Sequence, residues 1–144
     1  MVMRPRTVLA VCIGNTCRSP MAEAIARSLL GDSALVESAG LDAVDGGGAH
    51  KNAVSVMEEM GSDIEHHRTR NIRNVDVNSF DLVVAMSPSI ARRLRECGVE
   101  GGRIAELDVP DPYNSDVDAY RSTAEKITSQ LKTLFAMSPE KKTK

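Results

Sequence analysis

An unbroken apolar run, Val8-Leu9-Ala10-Val11, leads straight into Cys12-Ile13-Gly14-Asn15-Thr16-Cys17-Arg18-Ser19-Pro20, and no other part of the chain restricts the fold as much. A strand over Thr7 to Val11 without polar alternation suits burial on both faces, which a parallel sheet provides and a solvated sheet face does not. A helix must follow within a few residues. Ser19 is a candidate N-cap, Pro20 fits the first helical position, and Met21-Ala22-Glu23-Ala24-Ile25-Ala26 has high helix propensity. The amides between Cys12 and Ser19 then converge at a helix N-terminus, which is an anion site, and Arg18 adds a two-pronged donor for phosphate oxygens. A positive field of this kind favours the thiolate, so Cys12 is the candidate nucleophile.

Spacing excludes two neighbouring readings. There is no Gly-x-x-x-x-Gly-Lys-Ser/Thr, so the loop is not a nucleotide-binding loop of the Walker type. Cys12 and Cys17 are not a Cys-x-x-Cys pair, and no second Cys/His cluster completes a zinc site. No metal and no cofactor are expected.

Strand and helix signals go on alternating. Ala34 to Ser38 reads as a second strand, followed by a loop over 40–48 that ends in a glycine triplet. His50 to Met60 has helical spacing, with Val54, Met57 and Met60 on one face and Gly61 as its stop. Asp81 to Met86 is the third strand. Ser87-Pro88 opens a helix through Glu96 that Gly98 ends, and Arg103 to Leu107 is the fourth strand. A long helix from Asp116 to Phe135 repeats Ala124, Ile127, Leu131 and Leu134. The pattern predicts one three-layer α/β domain over residues 1–137, with a four-stranded parallel twisted sheet flanked by helices and the phosphate-binding loop between first strand and first helix. Ligands of such sheets bind beyond the carboxyl ends of the strands, where Cys12 stands. The charged stretch 138–144 is expected to be a disordered tail.

A chain of 144 residues supports a single core. A net charge of −2 gives no reason to expect nucleic acid as a partner. No apolar run is long enough to span a membrane, and the basic start is followed by a strand rather than a signal peptide. Three cysteines, an odd number, fit a reducing cytoplasm better than a disulfide scaffold.

The Cys12–Arg18 segment resembles the active-site loop of the low-molecular-weight protein tyrosine phosphatase family. Glu37-Ser38-Ala39-Gly40, His67-Arg68-Thr69-Arg70, Asp81-Leu82-Val83-Val84-Ala85-Met86 and Val109-Pro110-Asp111-Pro112-Tyr113 extend the resemblance along nearly the whole chain, in order. It implies hydrolysis of phosphotyrosine in proteins through a cysteinyl-phosphate. Cys12 would attack phosphorus, while Arg18 and the amides of Ile13, Gly14, Asn15, Thr16 and Cys17 hold the phosphoryl oxygens. Asp111 would protonate the leaving group and then activate water, with Asp108 its only nearby rival. Tyr113 would form the aromatic wall of the pocket. Ser19 has two open roles, capping the helix and donating its hydroxyl to Cys12. Asn15 suits a left-handed position, and the resemblance implies that its side chain pins the loop through His67. It also implies a reversible Cys12–Cys17 disulfide under oxidation; Cys97 reads as an inert thiol. The expected partners are a phosphorylated protein and an oxyanion in the loop.

Thr16 opens an alternative. Tyrosine phosphatases of this family usually carry a branched aliphatic residue there, and threonine resembles the protein-arginine phosphatase branch. Ile13 departs from the threonine often seen in that branch. No aromatic follows Gly40, so Asp42, Val44 and the glycine triplet predict a shallower, more polar rim. Thioredoxin-coupled arsenate reductases share the Cys-x5-Arg loop but need resolving cysteines after the third strand, where this chain has Met86-Ser87. A phosphoprotein-binding module without activity would normally lack Cys12 or Asp111, and both are present.

Overall fold

The computed structural model describes residues 5–136; the expected tail at 138–144 lies outside them. Four strands form one parallel sheet in the order β2-β1-β3-β4, with β1 at Thr7–Cys12, β2 at Leu35–Gly40, β3 at Leu82–Ala85 and β4 at Ile104–Glu106. The helices are α1 (Arg18–Leu30), α2 (Lys51–Glu59), α3 (Pro88–Glu96) and α4 (Val117–Ala136). This is the predicted α/β architecture. Helices α1, α2 and α4 pack on one another, and α3 lies against β3 and β4.

The apolar run dictates the position of β1. Val8 to Cys12 are all buried, because β1 lies inside the sheet between β2 and β3. Pairing Val11 with both Ala39 and Ala85 fixes the register, and Cys12 opposite Gly40 is the last pair at the carboxyl edge. With aromatic residues only 3% of the chain, the core is filled by aliphatic side chains and methionines, among them Leu9, Met21, Met57, Met86, Ile90, Leu94, Ile127 and Leu131, together with Tyr120. Burying each such side chain contributes about 1.5–3 kcal/mol.

Three expectations need correction. Helix α1 begins at Arg18 with Cys17 in the cap position and no side-chain cap, so Ser19 does not cap it; the loop turns into the helix one residue earlier than Ser-Pro suggests. Pro20 still sits in the first turn, where its missing N–H costs nothing. The inward face of α2 is Ala53, Val56 and Met57. Val54 is half-buried, and Met60, past the last turn, is 47% exposed because Gly61 at φ 90° turns the chain away. The fourth strand is shorter than expected, since β4 is an edge strand paired only with β3. By contrast, Ser87 caps α3 through the Ile90 N–H with Pro88 in the first turn, as its sequence predicts.

Candidate active site

The loop after β1 is shaped by what surrounds it. Gly40 permits the closest approach: a Cβ there would lie 2.5 Å from the Ile13 carbonyl and 2.9 Å from the Asn15 nitrogen. Beyond Gly40 the chain continues to pair with the loop. Leu41 N–H donates to the Cys12 carbonyl and Asp42 N–H to the Ile13 carbonyl, both at 2.9 Å. His67 Nε2 binds the Asn15 carbonyl at 2.8 Å, and His50 N–H donates to the Thr16 carbonyl at 2.9 Å. In a trans peptide the N–H points opposite to the C=O. Anchoring these carbonyls outward therefore turns the amides of Ile13, Gly14, Thr16 and Cys17 toward the inside of the loop. Asn15, at φ 58°, supplies the left-handed bend and aims its own N–H at Cys12 Sγ, 3.3 Å away.

Beneath the loop runs a buried polar chain. Asn15 Nδ2 donates to Ser19 Oγ at 2.8 Å and to Ser38 Oγ at 3.0 Å, and Ser38 Oγ donates to Glu23 at 2.6 Å. Asn15 Oδ1 accepts from the Arg70 N–H at 2.9 Å. Ser19 Oγ therefore already accepts a hydrogen bond, and its one hydrogen is free for Cys12 Sγ at 2.9 Å; its other acceptor, the Ala39 carbonyl, is farther at 3.4 Å. Of the two open roles, the cap is excluded, and the hydroxyl lies within hydrogen-bond distance of Cys12. His67 meets the backbone of Asn15 rather than its side chain, which is fully used by Ser19, Ser38 and Arg70. For that bond the histidine proton must sit on Nε2.

Arg18 joins the two sides of the cleft. Only 6% exposed, it donates to the Val109 carbonyl at 3.0 Å, and its other terminal nitrogen is 3.8 Å from Asp111 Oδ2. The Asp111 side chain is half exposed and accepts from the Tyr113 N–H at 3.1 Å. Asp108 instead faces α4, where its N–H and C=O are both bound by the Gln130 amide. One cavity of about 420 Å³ gathers Cys12, Ile13, Gly14, Thr16, Cys17, Arg18, Asp111 and Tyr113. Asn15 and Ser19 do not line it; both are completely buried below it. Asp42, Val44 and Gly47 form its rim with Thr69. Arg93 grips Asp42 with two hydrogen bonds, at 2.9 and 3.1 Å, and these hold the Asp42 carboxyl below its ordinary range.

Cys17 points back toward α4. Its Sγ lies 3.2 Å from Tyr120 Oη and 3.5 Å from Thr16 Oγ1. Burial pushes both the Cys17 thiol and the Tyr120 phenol above their ordinary values. Tyr120 stacks on His50 at 4.9 Å, and His50 meets Tyr113 edge-on at 6.0 Å. Sequence reasoning missed Tyr120, Ser38, Thr69 and Arg93. Tyr120 carried a signal, since it precedes Ala124, Ile127 and Leu131 at helical spacing and a buried phenol needs a partner.

The family model for low molecular weight phosphotyrosine protein phosphatases matches residues 7–144. A probable low molecular weight protein-tyrosine-phosphatase, EpsP of Ralstonia solanacearum, is 37% identical over 122 residues, covering 80% of this chain and 83% of the relative. Among solved structures, Vibrio vulnificus Wzb in complex with benzylphosphonate superposes with a TM-score of 0.82 at 27% identity, covering 90% of this chain and 96% of that one. The YwlE arginine phosphatase from Geobacillus stearothermophilus also superposes with a TM-score of 0.82 at 27% identity, covering 91% of both chains.

Proposed function

The chain belongs to the low molecular weight phosphotyrosine protein phosphatase family, and on that premise we propose that it hydrolyses phosphotyrosine in proteins through a cysteinyl-phosphate on Cys12. The observation that carries this reading is the seat of the Cys12 sulfur: Ser19 Oγ and the Asn15 N–H both reach it, at the floor of a cavity that Arg18 and Asp111 also line. Two donors on one sulfur stabilise its anion, the nucleophilic form.

In the first step the thiolate attacks phosphorus. The S–P bond forms as the P–O bond to the tyrosine breaks. Charge spreads over the three equatorial oxygens, which face Arg18 and the inward amides of the loop. Asp111, protonated, gives its proton to the departing phenolate oxygen. In the second step the Asp111 carboxylate takes a proton from water as that water attacks phosphorus. Phosphate leaves and the thiolate is regenerated, so a second displacement restores the enzyme. The Arg18–Asp111 approach at 3.8 Å, longer than a short ion pair, supports this pairing of acid and phosphate clamp.

The odd set of three thiols, none paired in the fold, supports a reducing compartment such as the cytoplasm. No helix among the described residues is long and apolar enough to cross a membrane.

A second reading, protein-arginine phosphatase activity, is favoured by Thr16. Thr16 lines the cavity, and Tyr113 is the one aromatic residue lining it among the described residues. The arginine phosphatase among the structural relatives shares the fold. Arsenate reduction is disfavoured by the segment after β3, which carries Met86 and Ser87 where resolving thiols would be needed. The deciding experiment compares kcat/KM on one peptide carrying phosphotyrosine and one carrying phosphoarginine. Preference for phosphotyrosine supports the main reading, preference for phosphoarginine the second, and turnover of neither removes both.

A further inference from the structure

The rim of the cavity is a glycine-rich turn, Val44-Asp45-Gly46-Gly47, and residues of a distant loop hold it. Thr69, 3% exposed, makes four hydrogen bonds to it. Its N–H donates to the Gly47 carbonyl at 2.8 Å and its carbonyl accepts from the Gly46 N–H at 2.9 Å. Its hydroxyl accepts from the Gly47 N–H at 2.8 Å and donates to the Val44 carbonyl. The Val44 carbonyl and the Gly47 N–H are the first and fourth positions of the turn, the pair that would ordinarily bond to each other. The Thr69 hydroxyl bonds both and clasps the two ends of the turn.

The turn is built for this. Gly46, at φ 90°, occupies the third position, where a positive φ is needed. A Cβ on Gly47 would lie 3.1 Å from the Thr69 hydroxyl, so a side chain there would crowd the clasp. Asp45 is gripped as well: Oδ1 accepts from the Asn71 N–H at 2.7 Å and Oδ2 from the Asn74 amide at 2.6 Å. Asn71 also donates to the Ala43 carbonyl at 2.9 Å. The result is a turn with three consecutive glycines at 46–48 that is nonetheless fixed. It holds Val44, 82% exposed, at the mouth of the cavity.

We propose that Thr69 is a positioning residue for substrate specificity: its hydroxyl clasps both ends of the 44–47 turn and so sets where the rim meets the group that carries the phosphate. The proposal rests on the phosphatase reading. Without the hydroxyl, the clasp loses two of its four hydrogen bonds and the turn that carries Val44 loses its fixed place at the mouth of the cavity. The Cys12–Arg18 loop receives no hydrogen bond from the Thr69 side chain, so phosphate binding itself stays as it was.

The test is steady-state kinetics on the full chain with a phosphotyrosine and a phosphoarginine peptide. In Thr69→Val, KM for the preferred peptide should rise about tenfold while kcat changes by less than about threefold, the signature of lost uniform binding. The Ki for inorganic phosphate should stay within about twofold. Thr69→Ser, which keeps the hydroxyl, should restore KM. Unchanged KM in Thr69→Val, or a serine variant as impaired as the valine, would overturn the proposal. Should Thr69→Val not fold, amide exchange in the wild type decides. Slow exchange at Gly46 and Gly47 is expected, and exchange at unprotected rates in a folded protein would also overturn it. Wild-type inactivity on both peptides would sink the phosphatase reading instead, and the exchange measurement would still judge the clasp.

Discussion

The two loops that face each other across the cleft are built in opposite ways. The loop after β1 is sunk into the molecule: Cys12, Asn15, Cys17, Arg18 and Ser19 are all buried, and four of its carbonyls are bound from outside by Leu41, Asp42, His67 and His50. The loop after β4 rides on the surface. From Asp108 to Asp116 only Val109 and Pro112 are buried, and Arg18 links it across the cleft through the Val109 carbonyl and the Asp111 carboxylate. A nucleophile and an oxyanion clamp work by geometry fixed before substrate arrives. A proton donor must reach leaving groups of different shape, and a loosely tied loop allows that. Substitutions on the first loop should therefore disturb every substrate alike, whereas those on the second should depend on the leaving group.

The largest effect is expected at Cys12. Cys12→Ser should lower turnover by at least about 10⁴-fold on all substrates while inorganic phosphate still binds, as read by calorimetry. Residual activity of a few per cent would mean that another group attacks.

Asp111→Asn comes next, and it probes the opposite loop. Hydrolysis of aryl phosphates with poor leaving groups should fall by about 10²–10⁴-fold, and that of good leaving groups far less. An equal loss on both would give Asp111 the fixed, structural character of the first loop. Asp108→Asn serves as the control and should be nearly silent, since the Gln130 contacts run through the backbone of Asp108.

Asn15→Ala tests the rigid side without touching the sulfur's own atoms. It removes three side-chain hydrogen bonds and a residue suited to φ 58°. Orphaned partners of this kind cost about 1–3 kcal/mol each, so both the melting temperature and kcat should drop, by a similar factor for good and poor leaving groups. A kcat loss confined to poor leaving groups would contradict the division of labour between the loops.

The smallest expected effect concerns the back of the first loop. The Cys17 thiol and the Tyr120 phenol have ordinary values of 9.0 and 10.0, and burial raises both. The unfolded chain then loses these protons first, so stability is fully present below pH 9 and declines as pH rises above it. Thermal melts of Tyr120→Phe should show a shallower alkaline decline than the wild type. Parallel curves would remove the phenol from that linkage.

How far these features were readable in the sequence follows from distance along the chain. The apolar β1, the Cys12–Arg18 spacing and the left-handed Asn15 are local, and each shows in a few adjacent residues. Ser19 is the instructive case. Its neighbour Pro20 suggests a cap, yet its hydroxyl is directed by Asn15 below the loop and by the sulfur of Cys12. Ser38 and Tyr120 reach the loop from β2 and from α4, and Arg93 reaches the rim from α3. Thr69 clasps glycines more than twenty positions earlier. No periodicity records such pairings; they exist only once the parallel sheet has brought the carboxyl ends of its strands together.

The account stands or falls on the sulfur at the end of β1. The most direct measurement is a denaturing quench during turnover of a phosphotyrosine or phosphoarginine peptide, followed by peptide mass spectrometry. The account predicts phosphate covalently held on Cys12 and on no other residue. Phosphate found on Cys17 or Ser19 instead, or full turnover with no phosphoenzyme, would contradict it.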